Sequence, residues 1–124
     1  MSRQRPNFNR EAAIQAAIVE YVRTVAPQIL IWHVPNGGLR TKSEAARLKW
    51  MGVLAGAPDL TLALPGARVA FWEVKEPKGI VSREQAEFIL RLTHLSHYSW
   101  AIVRSIDDAR YELARLGIQT REAA

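Results

Sequence analysis

Apolar residues recur three or four positions apart in the first segment of the chain and at strand-like spacing in the next. Between Asn9 and Pro27 they mark one face of an amphipathic helix, with Asn9 as its N-cap and Pro27 just beyond its end. Residues 29–34 are a β-rich run that predicts a strand, which the Pro-Asn-Gly-Gly turn at 35–38 ends. A second helix is expected from Ser43 to residue 50 or 51.

The rest of the pattern predicts a hairpin and then a helix, a strand and a helix. Residues 59–64 and 68–75 form the hairpin strands around a three-residue Pro-Gly-Ala turn. A helix is expected over residues 82–95, a short buried strand over 99–103, and a last helix from 105 to 117. Helices that alternate with strands in this order predict an α/β sandwich around a mixed sheet.

Length and composition bound the kind of protein. The chain has 124 residues, the size of one domain with a single core. We assign residues 9–117 to that domain, between a flexible N-terminus at 1–8 and a C-terminal tail at 118–124. The chain contains no cysteine, which excludes disulfide frameworks, thiolate zinc sites and cysteine nucleophiles. It carries neither a membrane-spanning apolar run nor a signal-peptide core, so we expect a cytoplasmic protein.

Positive charge predominates, and most of it is arginine. The chain has 17 Lys and Arg against 12 Asp and Glu, and 13 of the 17 cations are Arg. Because the guanidinium group forms two-pronged contacts with phosphate, this excess favours a polyanionic partner such as nucleic acid. An ordinary positive surface is the alternative, since a formal net charge of +5 is modest.

The predicted hairpin brings three charged side chains together. With a three-residue turn, Leu64 pairs with Arg68, and continuing outward places Asp59 opposite Glu73 with their Cβ atoms roughly 5 Å apart. Side chains alternate faces along a strand, so Lys75 lies on the face that carries Glu73. A turn one residue longer would reverse one strand and separate the group.

Two facing carboxylates repel unless something neutralises them, and a divalent cation is the usual solution. Oxygen ligands such as Asp59 and Glu73 suit Mg²⁺ or Mn²⁺, which can activate water for attack on a phosphate. Lys75 could then position the water or stabilise the transition state. The alternative is a surface ion pair between Glu73 and Lys75, with Asp59 serving only the turn after Pro58.

At these residues the chain resembles a known nuclease family. The segments Gly-Ala-Pro-Asp at 56–59 and Glu-Val-Lys at 73–75 resemble the core of the PD-(D/E)xK nucleases. The flanking residues are similar to those of the VRR-NUC family, and the resemblance covers residues 10 to 110. The flanking matches are Glu11 with Gln15, the Trp32-His33-Val34-Pro35-Asn36-Gly37-Gly38 segment, residues 47–52, Lys78-Gly79, and Ser82 with Gln85.

The resemblance implies a restriction-endonuclease-like α/β/α sandwich with a central mixed β-sheet, and a Mg²⁺- or Mn²⁺-dependent deoxyribonuclease activity. Asp59 and Glu73 would be metal ligands, and the Val74 main-chain carbonyl would complete their set. Lys75 would be the catalytic lysine. The chain departs from the family at residues 95–98, where relatives often have a glycine before the last strand.

Two further catalytic residues are implied, and each has a structural alternative. Gln85 would orient the lysine or the scissile phosphate, but at the third position after Ser82 it can instead bond back to the helix cap. Glu11 would help to hold metal or water, but any acid in the first turn of a helix is also stabilised by the helix dipole.

A basic segment follows the glycine-rich turn and is the candidate DNA-binding surface. Glycines allow a close backbone approach to phosphate, and the cations that follow suit a DNA backbone, although a solvated helix face is the alternative. The DNA-contacting residues would be Asn36, Gly37, Gly38, Arg40, Lys42, Arg47 and Lys49.

Stand-alone members of the family resemble Holliday-junction resolvases, which act as dimers. The resemblance therefore implies a structure-selective endonuclease on branched DNA, a homodimer, and a phage or bacterial origin. No base-reading module is evident, so shape rather than sequence would guide cleavage. The alternative is a catalytically silent DNA-binding module of the same fold.

Overall fold

Eight elements follow one another in the predicted order in the computed structural model, which describes residues 7–35, 41–95 and 98–122. The helices are α1 (Asn7–Val25), α2 (Lys42–Trp50), α3 (Arg83–Leu92) and α4 (Ile106–Arg115), and the strands are β1 (Leu30–His33), β2 (Leu60–Leu64), β3 (Arg68–Val74) and β4 (Tyr98–Val103).

The helix starts show where local sequence was sufficient. Ser82 and Ser105 cap α3 and α4, as predicted. The predicted cap of α1 is wrong, because no helix breaker separates Asn9 from Asn7 and the helix extends back to Asn7. The predicted start of α2 at Ser43 is one residue late. Thr41 Oγ1 accepts the backbone N–H of Glu44 at 3.1 Å, so Thr41 is the cap and the helix begins at Lys42.

The strands form one mixed sheet in the order β1-β2-β3-β4. β1 pairs antiparallel with β2, β2 antiparallel with β3, and β3 parallel with β4. The β2–β3 turn contains three residues, and two of them, Gly66 and Ala67, have positive φ angles of 78° and 58°. This turn sets the register that pairs Leu64 with Arg68, as predicted from the sequence.

One face of the sheet is buried under α1 and α4 and forms the core. Alternate residues of β2 and β3 point to this face, as expected for strands. Its buried side chains include Leu60, Leu62, Leu64, Ala70, Trp72 and Val74 from the hairpin, Ile18 and Val22 from α1, and Ala109 and Leu113 from α4. Because Glu73 lies between two core-facing residues of β3, its side chain is directed to the opposite face.

Two peripheral parts of the chain differ in how firmly they are packed. None of the nine residues of α2, all within the described part of the chain, is buried. By contrast, Ile118 is buried after α4, and the backbone N–H of Arg121 donates to the Val25 carbonyl at 2.8 Å. In the described ranges, no helix is both long and apolar enough to cross a membrane.

Candidate active site

The open end of the hairpin brings Asp59, Glu73 and Lys75 together, as the predicted register requires. Lys75 Nζ lies 3.9 Å from Glu73 Oε2. Glu73 and Lys75 are only 2% and 8% exposed, and they are the buried charged residues of the part of the chain that the structure describes. Long charged side chains are rarely buried without partners, so this pair marks an unusual site.

Asp59 is held by hydrogen bonds at both its side chain and its main chain. Its carboxylate Oδ2 accepts the backbone N–H of Val74 at 2.9 Å, directly past the last β2–β3 pair. Its carbonyl oxygen accepts the Val34 N–H at 2.9 Å and lies 2.8 Å from His33 Nδ1. The Asp59 main chain is therefore held by the end of β1, and its carboxylate is held by β3.

Glu73 holds a proton that an exposed glutamate would release. Burial, together with the hydrogen bond and the negative charge of the adjacent Asp59, raises the pKa of Glu73 to about 9, and the opposing effect of the Lys75 ammonium does not offset them. At neutral pH the carboxyl group is consequently neutral, and its contact with Lys75 is not a full ion pair. A second positive charge between the carboxyl groups would favour release of this proton.

Gln85 forms the helix cap that the sequence offered as one alternative, and it also contacts Glu73. Its side-chain carbonyl accepts the Ser82 N–H at 2.8 Å, and its own N–H donates to Ser82 Oγ at 3.2 Å, which completes a capping box. Its side-chain Nε2 donates to Glu73 Oε2 at 2.7 Å. One side chain therefore caps α3 and contacts the buried acid.

The position of α3 depends on Gly56. This residue has a positive φ of 82°, and a Cβ atom built on it would lie 2.2 Å from the Glu84 carbonyl oxygen and 2.7 Å from the Gln85 nitrogen. Only glycine therefore lets the loop before Asp59 pack against the first turn of α3. The Gly-Ala-Pro-Asp segment thus positions an element of the site as well as a ligand candidate.

Glu11 approaches the site from α1. Partial burial raises its pKa, the Lys75 ammonium lowers it, and the nearby charges of Asp59 and Glu76 raise it. A backbone hydrogen bond with Glu76 also holds its carboxylate. In the described ranges no three Asp, Glu, His or Cys side chains are arranged to bind one metal ion.

The candidate DNA-binding residues are only partly described. Lys42, Arg47 and Lys49 lie on α2 with exposed side chains. Asn36, Gly37, Gly38 and Arg40, like the predicted family departure at residues 96–97, lie outside the described residues.

Two residues at the site were given no role by the sequence analysis. His33 was named only as part of a flanking match to the family, yet its ring contacts the Asp59 carbonyl. The signal was the β1–β2 pairing, which places His33 opposite Leu60, next to Asp59. Arg104 directly follows β4, and its guanidinium contacts the loop that begins after Lys75.

The donor set fits a hard divalent cation. Asp59 and Glu73 supply two converging carboxyl groups, one of which carries a proton that a cation would displace. The Val74 carbonyl belongs to the residue whose N–H binds Asp59 Oδ2. Mg²⁺ and Mn²⁺ prefer such oxygen ligands, with water filling the remaining positions.

Comparison with known proteins agrees with this architecture. No protein-family model and no curated protein matches the chain. A solved structure described as a VRR_NUC domain protein is similar, with a TM-score of 0.64, 23% sequence identity and coverage of 85% of both chains. The chain has the VRR-NUC fold.

This result confirms the predicted fold class, a restriction-endonuclease-like α/β/α sandwich with a central mixed sheet. Within the VRR-NUC fold of this chain, α1 and α4 cover one face of the sheet, and α3 reaches the other through Gln85. The carboxylate pair lies where the β2–β3 hairpin opens, beside the start of α3.

Proposed function

We propose that the chain is a metal-dependent endonuclease that hydrolyses DNA phosphodiester bonds. The observation that carries the proposal is the buried group of Glu73 and Lys75 beside Asp59 at the open end of the hairpin. Burying ionisable groups costs folding free energy, and clusters of buried ionisable groups are therefore typical of functional sites.

The proposed mechanism assigns a separate task to each side chain. Mg²⁺ or Mn²⁺ held by Asp59, Glu73 and the Val74 carbonyl would act as a Lewis acid and lower the pKa of a bound water. Gln85 holds one Glu73 oxygen and so fixes the rotamer of that carboxylate. Once Glu73 has released its proton, Lys75 can orient the attacking water or stabilise negative charge on the phosphate. Glu11 would hold water at the margin of the site.

DNA is the proposed partner because the exposed cations outnumber the acids near α2. Lys42, Arg47 and Lys49 are exposed on a short helix that carries one acid, Glu44. With the glycine-rich turn at 36–38 and Arg40, they would contact backbone phosphates rather than base edges. The proposed setting is the cytoplasm of a bacterial or phage-infected cell.

We also propose a homodimer that selects branched DNA such as a Holliday junction. Large apolar side chains are exposed on α2 and the loop after it, with Trp50 85%, Met51 59% and Leu54 56% exposed. Exposed apolar groups in such numbers are typical of interaction surfaces. Two copies would bring two sites to a symmetric junction.

A nicking assay on labelled DNA tests the activity. Four-way junctions, flaps and linear duplex are incubated with Mg²⁺, Mn²⁺ or EDTA, and wild type is compared with Glu73→Ala and Lys75→Ala. Lys78→Ala and Glu87→Gln are the matched controls, because both residues are exposed and lie near the site in sequence.

Metal-dependent cleavage that both site variants lose and both controls retain is the expected result. Cleavage by the site variants at the wild-type rate would overturn the assignment. Salt-sensitive DNA binding by wild type with no cleavage under any metal would instead identify a catalytically silent binding module.

A further inference from the structure

The loop that follows Lys75 is fastened by a single guanidinium group. Arg104 Nη1 lies 2.8 Å from the Glu76 carbonyl oxygen, 2.7 Å from that of Gly79 and 3.3 Å from that of Pro77. A backbone bond from the Gly79 N–H to the Glu76 carbonyl, at 2.9 Å, closes the same loop. Residues 76–79 are thus folded around one side chain, and we call them the lysine loop.

Arg104 lies between the end of the β3–β4 pairing and the first turn of α4. β3 and β4 are parallel and in register at Val74 and Val103, and the Lys75 N–H continues the pairing by donating to the Val103 carbonyl at 3.1 Å. Arg104 comes next, and its own N–H donates to Asp108 Oδ2 at 2.8 Å in the first turn of α4. The backbone of Arg104 is therefore fixed beside the end of β4 and by α4, and its side chain extends from this fixed point.

The lysine loop in turn encloses the Lys75 side chain. A Cβ atom added at Gly79 would lie 3.4 Å from both Cβ and Cδ of Lys75, so the loop backbone passes directly over the aliphatic stem. Lys75 is only 8% exposed, which leaves its ammonium little freedom to leave the site. The loop also offers the backbone group of Glu76 that holds Glu11.

We infer that Arg104 is a positioning residue that, through the lysine loop, holds the Lys75 ammonium at the acidic pair. All three carbonyls converge on Nη1 at the end of the guanidinium. This atom lies one bond farther from the Cα than a lysine Nζ, so a lysine at this position does not reach the three carbonyls in the same geometry. The effect of Arg104 on catalysis rests on the proposed nuclease function, whereas its effect on the position of Lys75 does not. The two parts can therefore be tested separately.

Chemical labelling of Lys75 tests the placement without any assay of activity. Arg104→Lys is compared with wild type by reductive methylation with formaldehyde and cyanoborohydride, followed by mass spectrometry of the peptides that contain Lys75 and Lys49. Lys49 is exposed on α2, outside the lysine loop, and serves as the internal reference. We expect Lys75 to react about tenfold faster or more in the variant, the effect of losing one hydrogen bond to a charged group.

Arg68→Lys is the matched control. Arg68 lies at the other end of β3 and also binds two backbone carbonyls, those of Pro65 at 3.0 Å and Leu116 at 2.8 Å. Its replacement removes the same kind of contact far from Lys75, so the Lys75 labelling rate should stay at the wild-type value.

Gly79→Ala moves the same loop without altering the arginine. Its Cβ would lie 3.2 Å from the Glu76 carbonyl oxygen, which is tighter than an ordinary contact, so the loop has to shift and this variant should also accelerate Lys75 labelling. If Arg104→Lys fails to fold, the labelling rate of Lys75 in Gly79→Ala tests the inference instead. Wild-type labelling of Lys75 in a folded Arg104→Lys or Gly79→Ala protein overturns the inference.

Cleavage kinetics test the catalytic part. In Arg104→Lys we expect kcat to fall about 10- to 100-fold with KM for DNA nearly unchanged, because the displaced group acts on the reaction and not on binding. Faster labelling together with a wild-type kcat would overturn the catalytic part. Faster labelling in a protein whose wild type cleaves no DNA would uphold the placement and refute the proposed function.

Discussion

Gln85 Nε2 donates to Glu73 Oε2 at 2.7 Å while the same side chain accepts the Ser82 N–H at 2.8 Å. One amide group thereby joins the N-terminal end of α3 to the buried carboxyl group of Glu73 on β3. Because the two contacts use different atoms of Gln85, substitutions can test the stability of the helix and the geometry of the site separately.

The two effects are separated by a pair of variants. Gln85→Glu keeps an oxygen that can accept the Ser82 N–H but loses the N–H that Glu73 accepts. We expect it to lower cleavage about 10- to 100-fold, as for other residues that orient metal ligands, with little change in stability. The rate of junction cleavage and the free energy of unfolding in urea measure the two quantities.

Ser82→Ala is the converse variant. It removes the side chain that accepts the Gln85 N–H, so we expect a loss of about 1 kcal/mol of stability while the contact with Glu73 and the cleavage rate are retained. Equal losses of activity in the two variants would show that only the helix cap matters.

Glu73 makes stability depend on pH in the direction opposite to a typical carboxylate. Burial and the neighbouring Asp59 raise the pKa of Glu73 from 4.5 to about 9, so the unfolded chain releases this proton at lower pH than the folded protein. Its stabilising contribution is present below the unfolded pKa and is lost as pH rises towards 9. The metal-free protein should thus become less stable between pH about 5 and about 9.

Urea unfolding of wild type and Glu73→Gln over that range checks the expectation, since the variant cannot ionise. Added Mg²⁺ should restore stability to wild type most strongly at high pH, and its binding should release a proton, measured by calorimetry in buffers of different ionisation enthalpy. Glu87→Gln, an exposed change on α3, should follow wild type. Parallel stability curves for wild type and Glu73→Gln would contradict the prediction.

Gly56 and Gly52 provide a matched test of close packing. Both have positive φ angles, 82° and 109°, but a Cβ would lie 2.2 Å from the Glu84 carbonyl at Gly56 and meet nothing within 4 Å at Gly52. Gly52→Ala should cost about 1–2 kcal/mol, the strain of a left-handed alanine. Gly56→Ala should cost about 1–3 kcal/mol more from overpacking, and it should displace Gln85 and reduce cleavage.

Thermal or urea unfolding gives the two costs, and the junction assay gives the activity. A Gly56→Ala protein as stable and as active as Gly52→Ala would show that α3 can shift without loss of the Glu73 contact.

Self-association can be examined at the exposed apolar residues. We expect wild type to elute as a dimer of the 14.0 kDa chain in size-exclusion chromatography with light scattering, and Trp50→Ser to shift it towards the monomer. Tyr111→Ser, which alters a side chain 66% exposed on α4, is the control. A 14.0 kDa particle for wild type at all micromolar concentrations would refute the dimer.

The sequence was most informative where structure depends on near neighbours. The three-residue turn and strand alternation were sufficient to place Asp59 against Glu73, because register follows from the turn. The position of Gln85 was less accessible, since its two contacts looked exclusive until the packing of α3 on Gly56 was known. Arg104 lay beyond reach, because its contacts depend on the parallel pairing of β3 with β4.

The last prediction concerns how the affinity of the proposed DNA-binding surface for DNA depends on salt concentration. Lys42 and Lys49 are seven residues apart on α2, so they lie two turns apart on one side of the helix and can contact the same backbone. If each neutralises one phosphate, replacing both by alanine should make the plot of log affinity against log salt less steep by about 1.8. Fluorescence anisotropy with a catalytically inactive Glu73→Gln background measures this slope. Arg121→Ala changes an exposed cation beyond α4 and should leave the slope unaltered. An unchanged slope in the double variant would place the phosphate contacts elsewhere on the protein.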